Sequence, residues 1–330
     1  VVLMVSSAVI STTVMFWIAR LSWAFSPVLN TGPILLVLGF ITAIYGAVKA
    51  LAQKDARLLL AFSTVSQAGL MLIALGSGTI VSELGFIAHL FAHALAKAVL
   101  FLCVGAFNAA YDTSSIAAFR EKIWRTPLLG AAAVIAALSM VGLPLTFGGV
   151  SKYWISAGAY NPLIYWGLWI PNLFTILVML KLIVPNTIYR REFIGPHPQI
   201  TQTIPRYVLG TLGALALLIF VGGLTSQIFS NIIGTAYPIT LLAALNKAAE
   251  FMQLFLIAYA LAQMAQFARW KATGNRLTAS LTKSLALPDA VLAIVAFVAA
   301  VILIGWVTGG VVSGGASGGL VSSSLVSGAG

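Results

Sequence analysis

Apolar runs of about 20 residues recur along this chain, and a helix of that length crosses a bilayer. The runs fall near residues 3–24, 33–52, 57–78, 84–108, 127–160, 163–187, 207–228, 237–266 and 287–309. They are continuously apolar rather than alternating, which favours helices over a barrel. The expected fold is an all-α polytopic membrane protein with about nine transmembrane helices, one of them discontinuous. Of the 330 residues, 60% are hydrophobic and only 8% charged, too little charge for a soluble domain of this size.

Loop charges give an orientation. In a soluble protein a net charge of +11 would suggest nucleic acid. Here the basic residues sit in short loops between apolar runs, so topology explains them and no nucleic-acid partner is expected. Lys49, Lys54 and Arg57 flank one loop, Arg120, Lys122 and Arg125 another, and Arg190, Arg191 and Arg206 a third. Arg269, Lys271, Arg276 and Lys283 fall in a fourth. The alternate loops carry no Lys or Arg, which places the start inside and the C-terminus outside. The first segment lacks a basic leader and a cleavage site, and a start on Val1 suggests missing upstream sequence. The single Cys103 excludes a disulfide framework or a cysteine-based metal site. No cofactor motif, nucleotide-binding loop, redox centre or hydrolytic site is visible.

The alternation of loop charge requires 127–160 to be one crossing, yet the stretch is too long for one straight helix. Its middle reads GLPLTFGGVSK, Gly142 to Lys152. Pro144 removes a backbone donor and the glycines loosen the chain, so a break is expected near 143–149. Such a break survives at membrane depth only where protein or a hydrated cavity satisfies the freed backbone groups. The Gly/Ser-rich stretch 310–330 reads as a mobile tail.

Three titratable residues interrupt the fourth run, FIAHLFAHALAKAVLF. His89, His93 and Lys97 are spaced four apart. Steps of four advance about 40° on a helix, so the three share a stripe about 12 Å long. Lys97 falls near mid-helix, where a charge costs on the order of 3 kcal/mol. One such histidine alone would suit a polar cluster bonding neighbouring helices. Three on one stripe favour a proton or ion path. Lys152 follows the break and is a second candidate, with Ser151 beside it able to bond a water chain or cap the half-helix. Asp55 and Arg57 read as an inner-surface ion pair. Lys247 and Glu250, at i and i+3, can pair on one face.

The run ALAQKDARLLLAFSTVSQAGLMLIALG, followed by HLFAHALAKAVLFLCVGA, resembles the core of the antiporter-like subunits of respiratory complex I. The same module occurs in multisubunit cation/proton antiporters, membrane-bound hydrogenases and some bicarbonate-uptake systems. GLPLTFGGVSKYW resembles that family's discontinuous helix, with Lys152 at its key lysine. The resemblance covers about residues 1–190. It implies two inverted five-helix repeats, each with a broken helix and a buried lysine, joined by a hydrated polar axis. On that pattern, 1–32 holds the last helix of a first repeat and its loop. Residues 33–187 form a complete repeat, and 188–309 add three helices. The first repeat's earlier helices are absent. Where relatives often carry His or Lys in the first helix, this chain offers Ser6, Ser11 and Thr12, and Tyr153 stands where an acid often follows the lysine.

The resemblance implies a proton-translocating membrane subunit of a larger complex, complex I-like or antiporter-like. Protons would pass along His89, His93 and Lys97 to Lys152, with Ser151, Thr12, Asp55 and Arg57 in support. A subunit of an NAD(P)H-quinone oxidoreductase translocase is one form of this. A non-conducting scaffold and a membrane partner of a bicarbonate or CO2-uptake system are the alternatives. Expected partners are other membrane subunits, a chain supplying the first repeat, and lipid. The expected setting is a bacterial plasma membrane or a thylakoid or organelle inner membrane. No cofactor is expected.

Overall fold

The computed structural model describes residues 6–25, 28–184, 204–232 and 241–274. All regular elements among them are helical. A π-helical turn, Ser6–Ile10, leads into α1 (Ser11–Phe25). Then follow α2 (Gly32–Ala52), α3 (Ala56–Gly76), α4 (Ile80–Tyr111) and the short α5 (Ile116–Lys122). The interrupted crossing comprises α6 (Pro127–Val141) and α7 (Phe147–Ala157). Beyond it lie α8 (Pro162–Gly167), α9 (Trp169–Ile183), α10 (Arg206–Leu224), α11 (Ser226–Ile232) and α12 (Leu241–Gly274).

Five spans are long and apolar enough to cross a membrane unaided: α2, α3, α4, α8 with α9, and α10. The broken pair α6–α7 falls on the expected fifth crossing. The described parts of the stretches expected at 3–24 and 237–266 are helical, but neither qualifies as a full span by itself. α1 has only 15 residues behind its π turn, and α12 places Lys247, Glu250 and Gln253 in its first half. The crossing expected at 287–309, the tail at 310–330 and the loop residues Arg190, Arg191, Arg276 and Lys283 lie outside the described residues.

α3 and α4 are the buried centre. α2 lies along α3 through small residues, burying Gly39, Ala43, Gly46, Ala47 and Ala50, so the two backbones approach closely. The opposite face of α2 exposes Ile34, Val37, Leu38, Ile41 and Tyr45, as a lipid-facing helix must. α4 starts in a capping box between Thr79 and Ser82, and Thr79 Oγ1 also donates to Gly158 O at 2.7 Å. That bond fastens the start of α4 to the end of α7.

Polar contacts outside the spans secure the chain ends of α2 and α3. Asp55 caps α3, accepting from the Arg57 amide at 2.7 Å, and pairs with the Arg57 guanidinium at 2.9 Å. Ser114 Oγ donates at 2.6 Å to Oδ2, the same Asp55 oxygen that the guanidinium engages. Partial burial opposes the charge on Asp55, but the bonds from Arg57 and Ser114 outweigh it and hold the carboxyl down at about 2. Lys181 Nζ donates to Leu51 O and Gln53 O, each at 2.5 Å, satisfying carbonyls at the end of α2.

Candidate functional site

The site begins with the break. α6 ends in a left-handed cap at Gly142 (φ 105°), where Leu143 N bonds back to Leu138 O at 2.9 Å. A side chain there would be strained, and its Cβ would lie 3.0 Å from Lys152 Cδ. The glycine thus both turns the chain and leaves room for the lysine stem. Pro144 and a left-handed Leu145 (φ 70°) complete the turn. Thr146 restarts the helix by accepting from Gly149 N at 3.2 Å. Gly148 lets α7 pass against α6, since a Cβ there would fall 1.9 Å from Ser139 O.

α7 packs on α4, and this brings the two sets of candidate residues together. His89, His93, Lys97, Ser151 and Lys152 are all buried, none more than 4% exposed. His89 joins the helices. Its Nδ1 lies 2.9 Å from Ser151 Oγ on α7 and its Nε2 lies 3.1 Å from Gln67 Oε1 on α3. Gln67 Nε2 donates in turn to Thr175 Oγ1 on α9 at 2.9 Å.

This network constrains the histidine proton. Thr175 gives its own hydrogen to Pro171 O at 2.8 Å, leaving only lone pairs for Gln67. Gln67 must therefore present its NH2 to Thr175 and its oxygen to His89. His89 Nε2 then carries a hydrogen in either charge state. When the ring is neutral, Nδ1 accepts from the Ser151 hydroxyl. When the ring is charged, Nδ1–H donates to Ser151 Oγ, whose hydrogen turns to Gly148 O, 2.9 Å away. Both states are fully bonded, and conversion needs only a hydroxyl rotation.

Lys97 is wholly enclosed. Its Nζ donates to Leu60 O at 2.7 Å and Ser63 Oγ at 2.5 Å, both on α3, and lies 6.0 Å from the centre of the Phe101 ring. Ser63 Oγ and Thr64 Oγ1 donate to the same Leu60 carbonyl, and Thr64 hydrogen-bonds to Ser7 of the π turn. The shared Leu60 carbonyl thus links these hydroxyls, from the first helical segment, to the buried ammonium. His93 lies between, its ring centre 6.3 Å from that of His89. Neither His93 nitrogen has a hydrogen-bond partner among the described residues. In so buried a place this costs about 1–3 kcal/mol per group.

Lys152 Nζ donates to Val141 O, at the end of α6, at 3.4 Å. Beyond it opens a cavity of about 30 Å³, with room for about two waters. Positive charges on Lys97 and His93, on His89 and Lys152, and on Lys152 and Lys247 are close enough to repel. Charging one group therefore disfavours charge on its neighbour.

Residues 1–178, more than half of the chain, match the family described as NADH:quinone oxidoreductase/Mrp antiporter, transmembrane. The chain belongs to that family. Over 233 residues it is 29% identical to NADH-quinone oxidoreductase subunit N of Desulforudis audaxviator, covering 62% of this chain and 44% of that protein. Over 186 residues it is 31% identical to F(420)H(2) dehydrogenase subunit L of Methanosarcina mazei, covering 54% of this chain and 28% of that one. The chain spans less than half the length of these relatives. Among solved structures, a membrane-bound sulfane sulfur reductase, an archaeal respiratory membrane complex, gives a TM-score of 0.59 at 23% identity over 77% of this chain and 50% of that chain. The Mrp complex of Dietzia sp. gives 0.55 at 22% identity over 84% of this chain and 34% of its own. At these identities the likeness is one of fold. This NADH:quinone oxidoreductase/Mrp antiporter-type chain is thus an integral, multi-pass membrane protein.

The remaining expected residues sit elsewhere in this family member. Asp55 and Arg57 form the α3 cap described above, away from the buried stripe. Thr12 is half-buried on α1, but the hydroxyl that reaches Thr64 belongs to Ser7. Sequence reading did not single out Ser7, Ser63, Thr64, Gln67, Thr175 or Tyr165. The polar run STVSQ on α3 (Ser63 to Gln67), set in an otherwise apolar helix, was the available signal. Lys247 and Glu250 do pair, at 2.7 Å, but they also reach across to α7 and α8.

Proposed function

We propose that this chain is a proton-translocating membrane subunit of a larger complex. Protons move along Lys97, His93 and His89 and reach Lys152 through the Ser151 contact and ordered water. The observation that carries this reading is the His89–Ser151 bond, which ties the α4 stripe to the half-helix bearing Lys152. Buried amines repel one another, so loading one lysine unloads the next. The chain's own residues hold and pass protons. The driving energy comes from an electron-transfer arm or an opposing ion gradient elsewhere in the complex.

The names of its relatives support partners that are other membrane subunits. A chain supplying the first repeat would meet this one at Ser7, where the hydroxyl path ends among the described residues. Loop charges support a start on the inner side and a C-terminus on the outer side. The proposed setting is a bacterial plasma membrane or a thylakoid or organelle inner membrane. The same Ser7 terminus favours the competing reading, a non-conducting scaffold, because hydroxyls rather than an ionisable group stand there.

One experiment separates the two. The complex containing the full chain is reconstituted into vesicles with wild-type chain, Lys97→Met or Lys152→Ala, and proton flux is followed with a pH-sensitive dye. Conduction predicts assembled complexes with flux reduced roughly 100-fold. Wild-type flux in both variants would leave the scaffold.

A further inference from the structure

We propose that Glu250 of α12 is the proton station that follows Lys152. The inference rests on the reading of Lys152 as a proton carrier. Its basis is the cavity beside that lysine. Lys152 and Ser156 of α7, Tyr165 of α8, Asn172 of α9, and Lys247 and Glu250 of α12 all line it. Four helices thus turn polar groups toward one small space between apolar neighbours.

Both oxygens of Glu250 are engaged. Tyr165 O–H donates to Oε1 at 2.5 Å and Lys247 Nζ to Oε2 at 2.7 Å. Lys247 also donates to Ser156 Oγ at 3.1 Å, and Ser156 gives its hydrogen to Lys152 O at 2.9 Å. Lys247 further lies 5.8 Å from the centre of the Tyr165 ring. Asn172 contributes an acceptor, Oδ1, that is buried and without a partner among the described residues. The cavity therefore holds a spare acceptor and room for about two waters between a lysine and a carboxylate.

The transfer balances without another reactant. An N–H bond of the Lys152 ammonium breaks and its electron pair stays on nitrogen. The proton passes through water to Glu250, where an O–H bond forms and the carboxylate becomes neutral. Lys247 then loses its counter-charge, and its positive charge faces the emptied Lys152. Return of the proton to Lys152 is disfavoured, and release from Glu250 restores the Lys247 pair. Tyr165 holds the carboxylate in place through both stages. A purely structural ion pair would require neither the cavity nor the shared wall with Lys152.

The test uses the reconstituted complex with the full chain. Proton flux is measured for wild type, Lys152→Ala, Glu250→Gln and Glu250→Asp, alongside infrared difference spectra during turnover. Glu250→Gln should lower flux roughly tenfold or more, with Glu250→Asp severalfold above it. The wild-type spectra should contain a protonated-carboxyl band that shifts in D2O and is missing in Glu250→Gln. Wild-type flux in Glu250→Gln while Lys152→Ala is dead overturns this inference alone. Wild-type flux in Lys152→Ala overturns the reading beneath it as well. A loss in Glu250→Gln that Glu250→Asp does not repair overturns the station. If Glu250→Gln fails to assemble, the wild-type spectra decide, and absence of the carboxyl band in turnover overturns it.

Discussion

Ser151 Oγ lies 2.9 Å from His89 Nδ1 and 2.9 Å from Gly148 O, so one hydroxyl serves two acceptors in turn. His89 is pinned on its other side by Gln67, which is itself held by Thr175. The ring cannot flip to seek another partner, and its charge state is written in the direction of a single O–H bond. This makes Ser151 a positioning residue for a proton on His89.

Ser151→Ala tests that role. The neutral ring would keep its bond to Gln67 but leave Nδ1 buried and unpaired, at a cost of about 1–3 kcal/mol. Proton flux in reconstituted vesicles should fall several-fold. Ser151→Thr, which keeps the hydroxyl, should retain much more. Equal flux in the alanine variant and wild type would remove Ser151 from the path.

Gly142→Ala should damage the break itself. Alanine at φ 105° is strained by about 1–2 kcal/mol, and its methyl would press on the Lys152 stem. The melting temperature of the purified complex should drop, and flux should drop with it. A control at Gly105, where an added Cβ meets nothing within 4 Å, should leave both unchanged.

Asp55 predicts an acid dependence. Its carboxyl is held below the usual 3.8, at about 2, so its stabilising contribution is present above the unfolded value. That contribution fades as pH falls through about 2. Asp55 is only partly buried and its partner Arg57 is exposed, so the gain from the pair is under about 1 kcal/mol after solvent screening. Asn can still accept from the Arg57 amide and cap α3, so Asp55→Asn removes the charge alone. Asp55→Asn should therefore lower stability at neutral pH, and the gap from wild type should narrow between about pH 4 and pH 2. A constant gap across that range would show that the charge of Asp55 contributes nothing.

Much of the architecture was legible because helix periodicity and apolar length are local properties. His89, His93 and Lys97 at steps of four had to share a face, and they do. Pro144 between glycines announced an interruption, and the helix stops at Val141 and restarts at Phe147. What could not be read was partnership between helices. The His89–Ser151 contact joins positions 62 apart, and Gln67–Thr175 joins positions 108 apart. Neither separation leaves a periodic trace. Ser7 was passed over in favour of Ser6, Ser11 and Thr12 because helical rotation decides which hydroxyl points inward, and the π turn alters that rotation. Lys247 and Glu250 looked like an ordinary i to i+3 pair. Only the packing of α12 beside α7 and α8 turns them toward Lys152.

The carbonyl of Val141 that receives Lys152 is the last of its helix, where the aligned peptide dipoles of α6 sum to about half a negative charge. A carboxylate in that place would fall silent on taking up a proton. The end of a helix cannot be neutralised in this way. By interrupting the crossing at Gly142, the chain gives its lysine a permanent, pH-blind anchor made of backbone alone, and can place the uncharged Tyr153 next to it without leaving the ammonium unattended.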